Sequence, residues 1–326
     1  MNKIYRVMTT AALTTGMLLG GAAWGMNSTA VDAATAKVPA VQSTATQKAA
    51  KTAGITQSGI TLGVNEATYD GNYIHLTLQR SGKGLIGGIT DSTFDEEIQD
   101  VILEKGAIKK IDVSINGKSI FEYGGGELGK RPTLGWEPGS TPDTAHIKLT
   151  DPSWLGGQEF AFPDKFKLTA KVTLEGVSKP YTFDLSMQKT AGKPMVLKPN
   201  VTKKSGKMTL NLSKMNLTST SSRVQLIEKG YESGKPSDFL YEFVDDQGKE
   251  LDFLSGFGTD ENNKAGDMYH DFVLSPLGKD TKSITLRVFK PEFKEQGATS
   301  GEYKLDENGE IVKNYIKELE MTVNMR

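Results

Sequence analysis

Residues 164–172 read DKFKLTAKV, and residues 280–288 read DTKSITLRV. Both follow the pattern Asp-x-x-x-(Leu/Ile)-Thr-x-(Lys/Arg)-Val. Leu168, Val172, Ile284 and Val288 fall on one face and Thr169, Lys171, Thr285 and Arg287 on the other. This period-two alternation is that of a strand with one buried face. Its double occurrence predicts one β-domain present twice.

Other matches keep the same order along the chain. GITLGV at 59–64 parallels GKMTLNL at 206–212, and Gly117-Lys118-Ser119-Ile120 parallels Gly248-Lys249-Glu250-Leu251. The last expected strands match as Phe183-Asp184-Leu185 and Leu319-Glu320-Met321. Strand patterns converge because both faces restrict residue type, so the preserved order says more than any single match.

In the first half, two strands flank Tyr69-Asp70-Gly71-Asn72, where Asp-Gly signals a hairpin and Ile74, Leu76 and Leu78 face the core. Strand spacing returns at Ile111, Val113 and Ile115 before the Asn116-Gly117 turn. Between them the period changes. Phe94, Ile98, Val101 and Ile102 fall at i, i+4, i+7 and i+8, which predicts one short helix over 91–106 with Ser92 as N-cap and Gly106 as stop. Residues 123–143 hold a glycine run, three prolines and Trp136, which predicts a long surface loop.

Short strands with turns between them predict an all-β chain of two tandem immunoglobulin-like antiparallel sandwiches. The domains run over 56–190 and 198–326, separated by a segment containing Gly192, Pro194 and Pro199. Ahead of them, Lys3 and Arg6 precede the mostly small or apolar stretch 8–26, and small residues follow around Ala33 and Ala36. That order predicts a secretion signal over 1–36. Residues 37–55, rich in Ala, Thr, Gln and Lys, read as a flexible linker. Threonines and glycines interrupt the apolar stretch, which argues against a retained membrane span.

The chain of 326 residues has no cysteine, which excludes a disulfide framework and thiol chemistry. Its 39 basic and 40 acidic residues give a net charge of −1, and removing Lys3, Arg6 and Asp32 with the signal leaves 37 and 39. Lysines scattered at alternate strand positions do not make a phosphate-binding track, so nucleic acid is not an expected partner.

No catalytic set stands out. His75, His146 and His270 lie in or beside expected strands, and no motif singles out a nucleophile. Asp260, Asn262 and Asp267 concentrate oxygen ligands in one loop, the donor type that calcium takes. Counted from Asp260, the EF-hand glycine and glutamate positions hold Ala265 and Asp271, and a polar hairpin tip explains the same residues. Tyr123, Trp136 and Trp154 are candidate ligand-binding aromatics on loops, and the competing reading is that a tryptophan folds back over the open end of the core.

The run Gly-Ile-Thr-Leu-x-Val-x-Glu-Ala-x-Tyr-Asp-Gly from Gly59 to Gly71 resembles the opening of uncharacterised ectodomains of anti-sigma-factor-like membrane proteins in Gram-positive, spore-forming bacteria. In the second half, Pro199-Asn200-Val201-Thr202, the stretch from Val244 to Leu251, and Pro276-Leu277 with residues 282–288 resemble the companion immunoglobulin-like domain of unknown function. Here a signal segment stands in place of the cytoplasmic part. The resemblance implies the fold and carries no catalytic residues.

Together these features predict an exported, non-enzymatic binding or sensing protein at the cell surface, with a cell-wall polymer or surface protein as partner. The alternatives are a self-assembling envelope component and a hydrolase whose site has no recognised motif.

Overall fold

The computed structural model describes residues 52–95, 97–157, 160–190, 192–230, 239–298 and 301–325. The expected signal over 1–36 and the linker up to residue 51 lie outside the described residues.

The first half contains β1 (Ile55–Gln57), β2 (Ile60–Tyr69), β3 (Ile74–Gly82), β4 (Thr93–Asp95), β5 (Asp100–Ile102), β6 (Ile108–Ile115), β7 (Lys118–Ser119), β8 (Thr133–Pro138), β9 (Thr144–Thr150), β10 (Lys165–Leu174) and β11 (Tyr181–Gln188). The second half contains β12 (Met195–Leu197), β13 (Val201–Ser205), β14 (Met208–Leu217), β15 (Ser222–Lys229), β16 (Leu240–Asp245), β17 (Phe253–Thr259), β18 (Met268–Leu274), β19 (Ser283–Pro291), β20 (Lys313–Tyr315) and β21 (Met321–Asn324). All the described ladders are antiparallel.

The pairing repeats. The run β2-β3-β9-β8 in one sheet of the first half reappears as β14-β15-β18-β17 in the second, and β11-β10-β6 reappears as β21-β19-β16. The repeat extends to an irregularity. The register shifts between Val64 and Glu66 in β2, and between Leu212 and Lys214 in β14, which leaves Asn65 and Ser213 as the extra residues. Val64 pairs with Leu78 and Leu212 with Leu226 at the same place in each ladder. A bulge bends a strand and re-aims its side chains, so sharing one implies a shared curvature.

The strands that carry the repeated Asp-x-x-x-(Leu/Ile)-Thr-x-(Lys/Arg)-Val pattern are β10 and β19. Thr169 lies between Ser114 and Asp184, and Thr285 lies between Val244 and Thr322. The registers therefore match Phe183-Asp184-Leu185 with Met321-Thr322-Val323, two residues beyond the expected Leu319-Glu320-Met321. Leu319 belongs to a 3-10 turn, Lys317–Leu319, that precedes the last strand. Alternation has period two, so a two-residue slip preserves the inward and outward pattern and cannot be detected from sequence.

Each half closes around its own core. Ile60, Leu62, Val64, Leu76, Leu78, Val113, Leu168, Val172 and Phe183 build the first, and Leu210, Leu212, Val224, Leu226, Phe243, Ile284, Leu286 and Met321 the second. Truncating such a buried leucine to alanine costs about 2–5 kcal/mol. Asn116 and Gly117 both adopt positive φ, 50° and 84°, as a type I′ hairpin turn requires.

The described residues of 91–106 do not form the expected helix. They fold as the hairpin β4–β5, with Phe94 opposite Val101 and Thr93 opposite Ile102. Helical spacing had a second solution here, because phenylalanine, valine and isoleucine also favour strands. Helical geometry in the first half occurs as 3-10 segments at Ile120–Gly126, Leu128–Lys130 and Pro152–Trp154. The expected 123–143 loop likewise contains an edge strand, β8, whose terminal Pro138 needs no ladder donor.

Candidate functional site

Strand alternation turns Val224 and Leu226 into the second core, so Arg223 and Gln225 point out of the opposite face of β15. Loops of the first half cover that face. Arg223 is 1% exposed. Its Nε and Nη2 donate to the two carboxylate oxygens of Asp271, on neighbouring β18, at 2.9 and 2.6 Å. Nη2 also donates to the carbonyl of Asp151 at 2.7 Å, and Nη1 to that of Asn72 at 3.1 Å. Both terminal nitrogens lie 3.4 Å from Asp151 Oδ1.

Burial opposes the Arg223 charge, but Asp271 and then Asp151 outweigh it and hold the guanidinium protonated above its ordinary range. Burial raises the Asp271 carboxyl above its ordinary range, and Arg223 pulls it back only in part. The two-pronged contact satisfies both groups as ions, which is how a buried charge becomes tolerable. Trp154 lies under two cations from the second half, with the Arg223 guanidinium 4.9 Å and Lys214 Nζ 4.1 Å from its ring centre. Burial and the nearby Arg223 lower the Lys214 pKa.

Beside this centre the β2–β3 turn meets the β14–β15 turn. Asp70 Oδ1 accepts the backbone N–H groups of Asn72 and Tyr73 at 2.9 and 3.2 Å. Its Oδ2 accepts hydroxyls from Thr218 at 2.7 Å, Thr220 at 2.8 Å and Ser221. Asn72 and Asn216 exchange side-chain contacts, with Asn72 Nδ2 on the Asn216 carbonyl at 3.0 Å and Asn216 Nδ2 on Asn72 Oδ1 at 2.8 Å. Gly156, at φ 78°, lies so close to Tyr269 that an added Cβ would meet its ring at 2.8 Å. A polar junction thus joins the two halves.

The aromatic candidates do not converge. Tyr123 packs at 4.1 Å on Phe160 with the rings tilted by 40°, and carries Lys118 over its ring. Trp136 lies on β8 and packs against the first core, as the folded-back reading expects. Trp154 stands in the junction. In the acidic loop, Asn262 Nδ2 donates to the carbonyls of Gly129 at 2.7 Å and Leu155 at 3.0 Å, so this residue faces the first half. Asp267 contributes its backbone to a turn closed by Asn263, and Asp260 lies half-buried nearby. No group of three or more His, Asp or Glu side chains gathers as a metal site among the described residues.

Two histidines do meet. His75 Nε2 lies 3.1 Å from His146 Nδ1, with Thr77 Oγ1 3.3 Å from the same Nδ1. Burial, then His146 and Lys148, lower the His75 pKa to about 4. Lys148 pairs with Glu137 at 2.6 Å. The repeated register makes this pair the counterpart of Arg223 and Asp271. His75 precedes Leu76 as Arg223 precedes Val224, while His146 opposes Thr77 as Asp271 opposes Gln225. One half carries a covered ion pair where the other carries two half-buried imidazoles.

The β4–β5 hairpin presents an apolar surface, with Phe94 53%, Ile98 63%, Val101 51% and Ile102 43% exposed. The same segment carries exposed Asp91, Glu97, Asp100 and Glu104.

Residues 195–323 match a family of unknown function (DUF5643). No curated protein matches the chain. Among solved structures, the conserved domain protein from Bacillus anthracis aligns over 86% of this chain and 92% of that chain, at 10% identity and a TM-score of 0.52. This likeness concerns the fold alone. A chimeric titin Z1Z2 functionalized with a decorin peptide aligns over 72% of this chain and 91% of that chain at 11% identity, with a TM-score of 0.21.

Sequence reading missed the junction because its members are scattered. Asp70 signals only a turn, Asp151 only a loop, and Arg223 an outward strand position. The useful signal was an arginine and an aspartate on facing strands of a repeat whose other copy carries histidines there.

Proposed function

We propose that the chain is an exported, non-enzymatic binding or sensing protein of the cell surface, made of two tandem immunoglobulin-like sandwiches that act as one rigid unit. The repeated ladder and its shared bulge support the tandem reading. The resemblance to ectodomains of anti-sigma-factor-like proteins supports an envelope location.

The observation that carries the binding role is the hairpin. Monomeric proteins rarely leave a contiguous apolar patch in water, and such patches mark interaction sites. Phe94 and Val101 form an exposed cross-strand pair on one face of the hairpin, and the same segment carries exposed acidic residues. This surface suits a protein partner with an apolar centre and a basic rim. Aromatic and aliphatic anchors desolvate at the centre of such contacts while the charged rim sets orientation.

The test is retention of the full chain on isolated cell walls and on an array of surface proteins, comparing the wild type with Phe94→Ser/Val101→Ser. Binding to a surface protein, lost in the double variant and retained in a Lys203→Gln control on the second half, supports the reading. Equal binding by both proteins, or no binding to any surface, overturns it.

A further inference from the structure

We propose that His75 and His146 form a binding site for a late first-row divalent metal ion, Cu²⁺, Ni²⁺ or Zn²⁺, with two imidazole ligands from the protein and water in the remaining positions. Neighbouring strands β3 and β9 place the two rings. The histidines are two residues apart in register and so share a face, since His75 pairs with Lys148 and His146 with Thr77. The rings therefore approach diagonally, with centroids 4.9 Å apart and planes tilted by 39°.

The spacing suits coordination. Metal–imidazole bonds of about 2.0–2.1 Å put two ligand nitrogens about 3.3 Å apart in a tetrahedral site and about 2.9 Å apart at adjacent corners of a square one. The observed separation is 3.1 Å. A metal ion can thus replace the shared proton with little movement of either strand. Without metal, one nitrogen donates to the other. With metal, both present lone pairs, and each neutral ring keeps its proton on its other nitrogen, Nδ1 of His75 and Nε2 of His146.

The surroundings allow an ion to enter. Both histidines are half-buried rather than sealed. Lys148, the register partner of His75, is paired with Glu137 at 2.6 Å, so the pair leaves little net positive charge at the site. The matching positions in the second half make a useful contrast. There the same two places carry Arg223 and Asp271, closed over by the first half, and that copy offers no such site. Imidazole ligands favour copper, nickel and zinc over calcium or magnesium, so the site differs in chemistry from the acidic loop.

The chain has three histidines and no cysteine, so imidazole coordination can arise from few places. The test titrates Cu²⁺, Ni²⁺ and Zn²⁺ into the full chain by calorimetry, with the Cu²⁺ visible spectrum as a second readout. His75→Gln, His146→Gln and His270→Gln are compared, and thermal unfolding checks that each variant is folded. The expected result is one ion per chain, affinity weakened at least tenfold in His75→Gln and in His146→Gln, and affinity unchanged in His270→Gln. Wild-type binding no tighter than that of the first two variants overturns the proposal, as does loss of binding in His270→Gln alone. If either His variant fails to fold, protection of His75 and His146 from imidazole modification by the metal decides, and unprotected rings overturn the proposal.

Discussion

Arg223 Nη2 donates to the carbonyl oxygen of Asp151 at 2.7 Å, although the two residues belong to different halves of the chain. The same guanidinium holds Asp271 on its own sheet, so one buried cation ties a strand of the second half to a loop of the first. Asp151 is itself fixed, since its Oδ1 accepts the Ser153 N–H at 3.1 Å and its Oδ2 the Phe162 N–H at 3.2 Å. Arg223 therefore meets a prepared acceptor.

Replacing Arg223 by alanine leaves Asp271 buried without its partner. Breaking a buried ion pair in this way costs about 3–5 kcal/mol, whereas Arg223→Met, which removes the charge but keeps much of the volume, avoids part of the packing loss. Urea unfolding should show the larger loss for Arg223→Ala. The double variant Arg223→Met/Asp271→Leu should recover part of it.

Asp70→Ala removes the acceptor of three hydroxyls and two backbone N–H groups. Hydrogen bonds to a charged group contribute about 1.5–3 kcal/mol, so a loss of that order is expected in denaturant unfolding. Asp70→Asn keeps the turn contacts and should lose less.

Gly156→Ala places a methyl group against the Tyr269 ring at a residue with φ 78°. Backbone strain at such a position is about 1–3 kcal/mol before any clash is counted. Thermal unfolding should register the loss, and Tyr269→Ala in the same chain should relieve the steric part while leaving the strain.

His75 gives a pH dependence whose sign is fixed by its lowered pKa. The folded state disfavours the protonated ring, so between about 4 and the unfolded value near 6.5 the unfolded chain binds more protons. The folded chain is unpenalised above that window and loses stability as pH falls through it, by up to about 3 kcal/mol. Unfolding curves collected from pH 7 to pH 4 should show a shallower decline for His75→Gln than for the wild type. Parallel declines would mean that His75 is not held neutral.

The legible part of the fold was that set by alternation and turn chemistry. Leu168 and Val172, the Asn116-Gly117 turn and the Asp70-Gly71 turn each follow from local rules. The β4–β5 hairpin was not legible, because Phe94, Ile98, Val101 and Ile102 satisfy a helical period while their residue types suit strands equally well. Nor was the two-residue offset of the last strand, which leaves every side chain on its expected face. The junction lay beyond local reading altogether. Arg223 and Asp151 are 72 positions apart, and only the packing of one half on the other brings them together.

The most direct test of the locked junction is a double-mutant cycle on unfolding free energy with Arg223→Met and Asp151→Ala, both singly and together. A coupling energy of about 1 kcal/mol or more is expected, within the range found for residues that share one buried network. Additive losses, with coupling near zero, would contradict a junction in which Arg223 and the Asp151 carboxylate act together across the two halves.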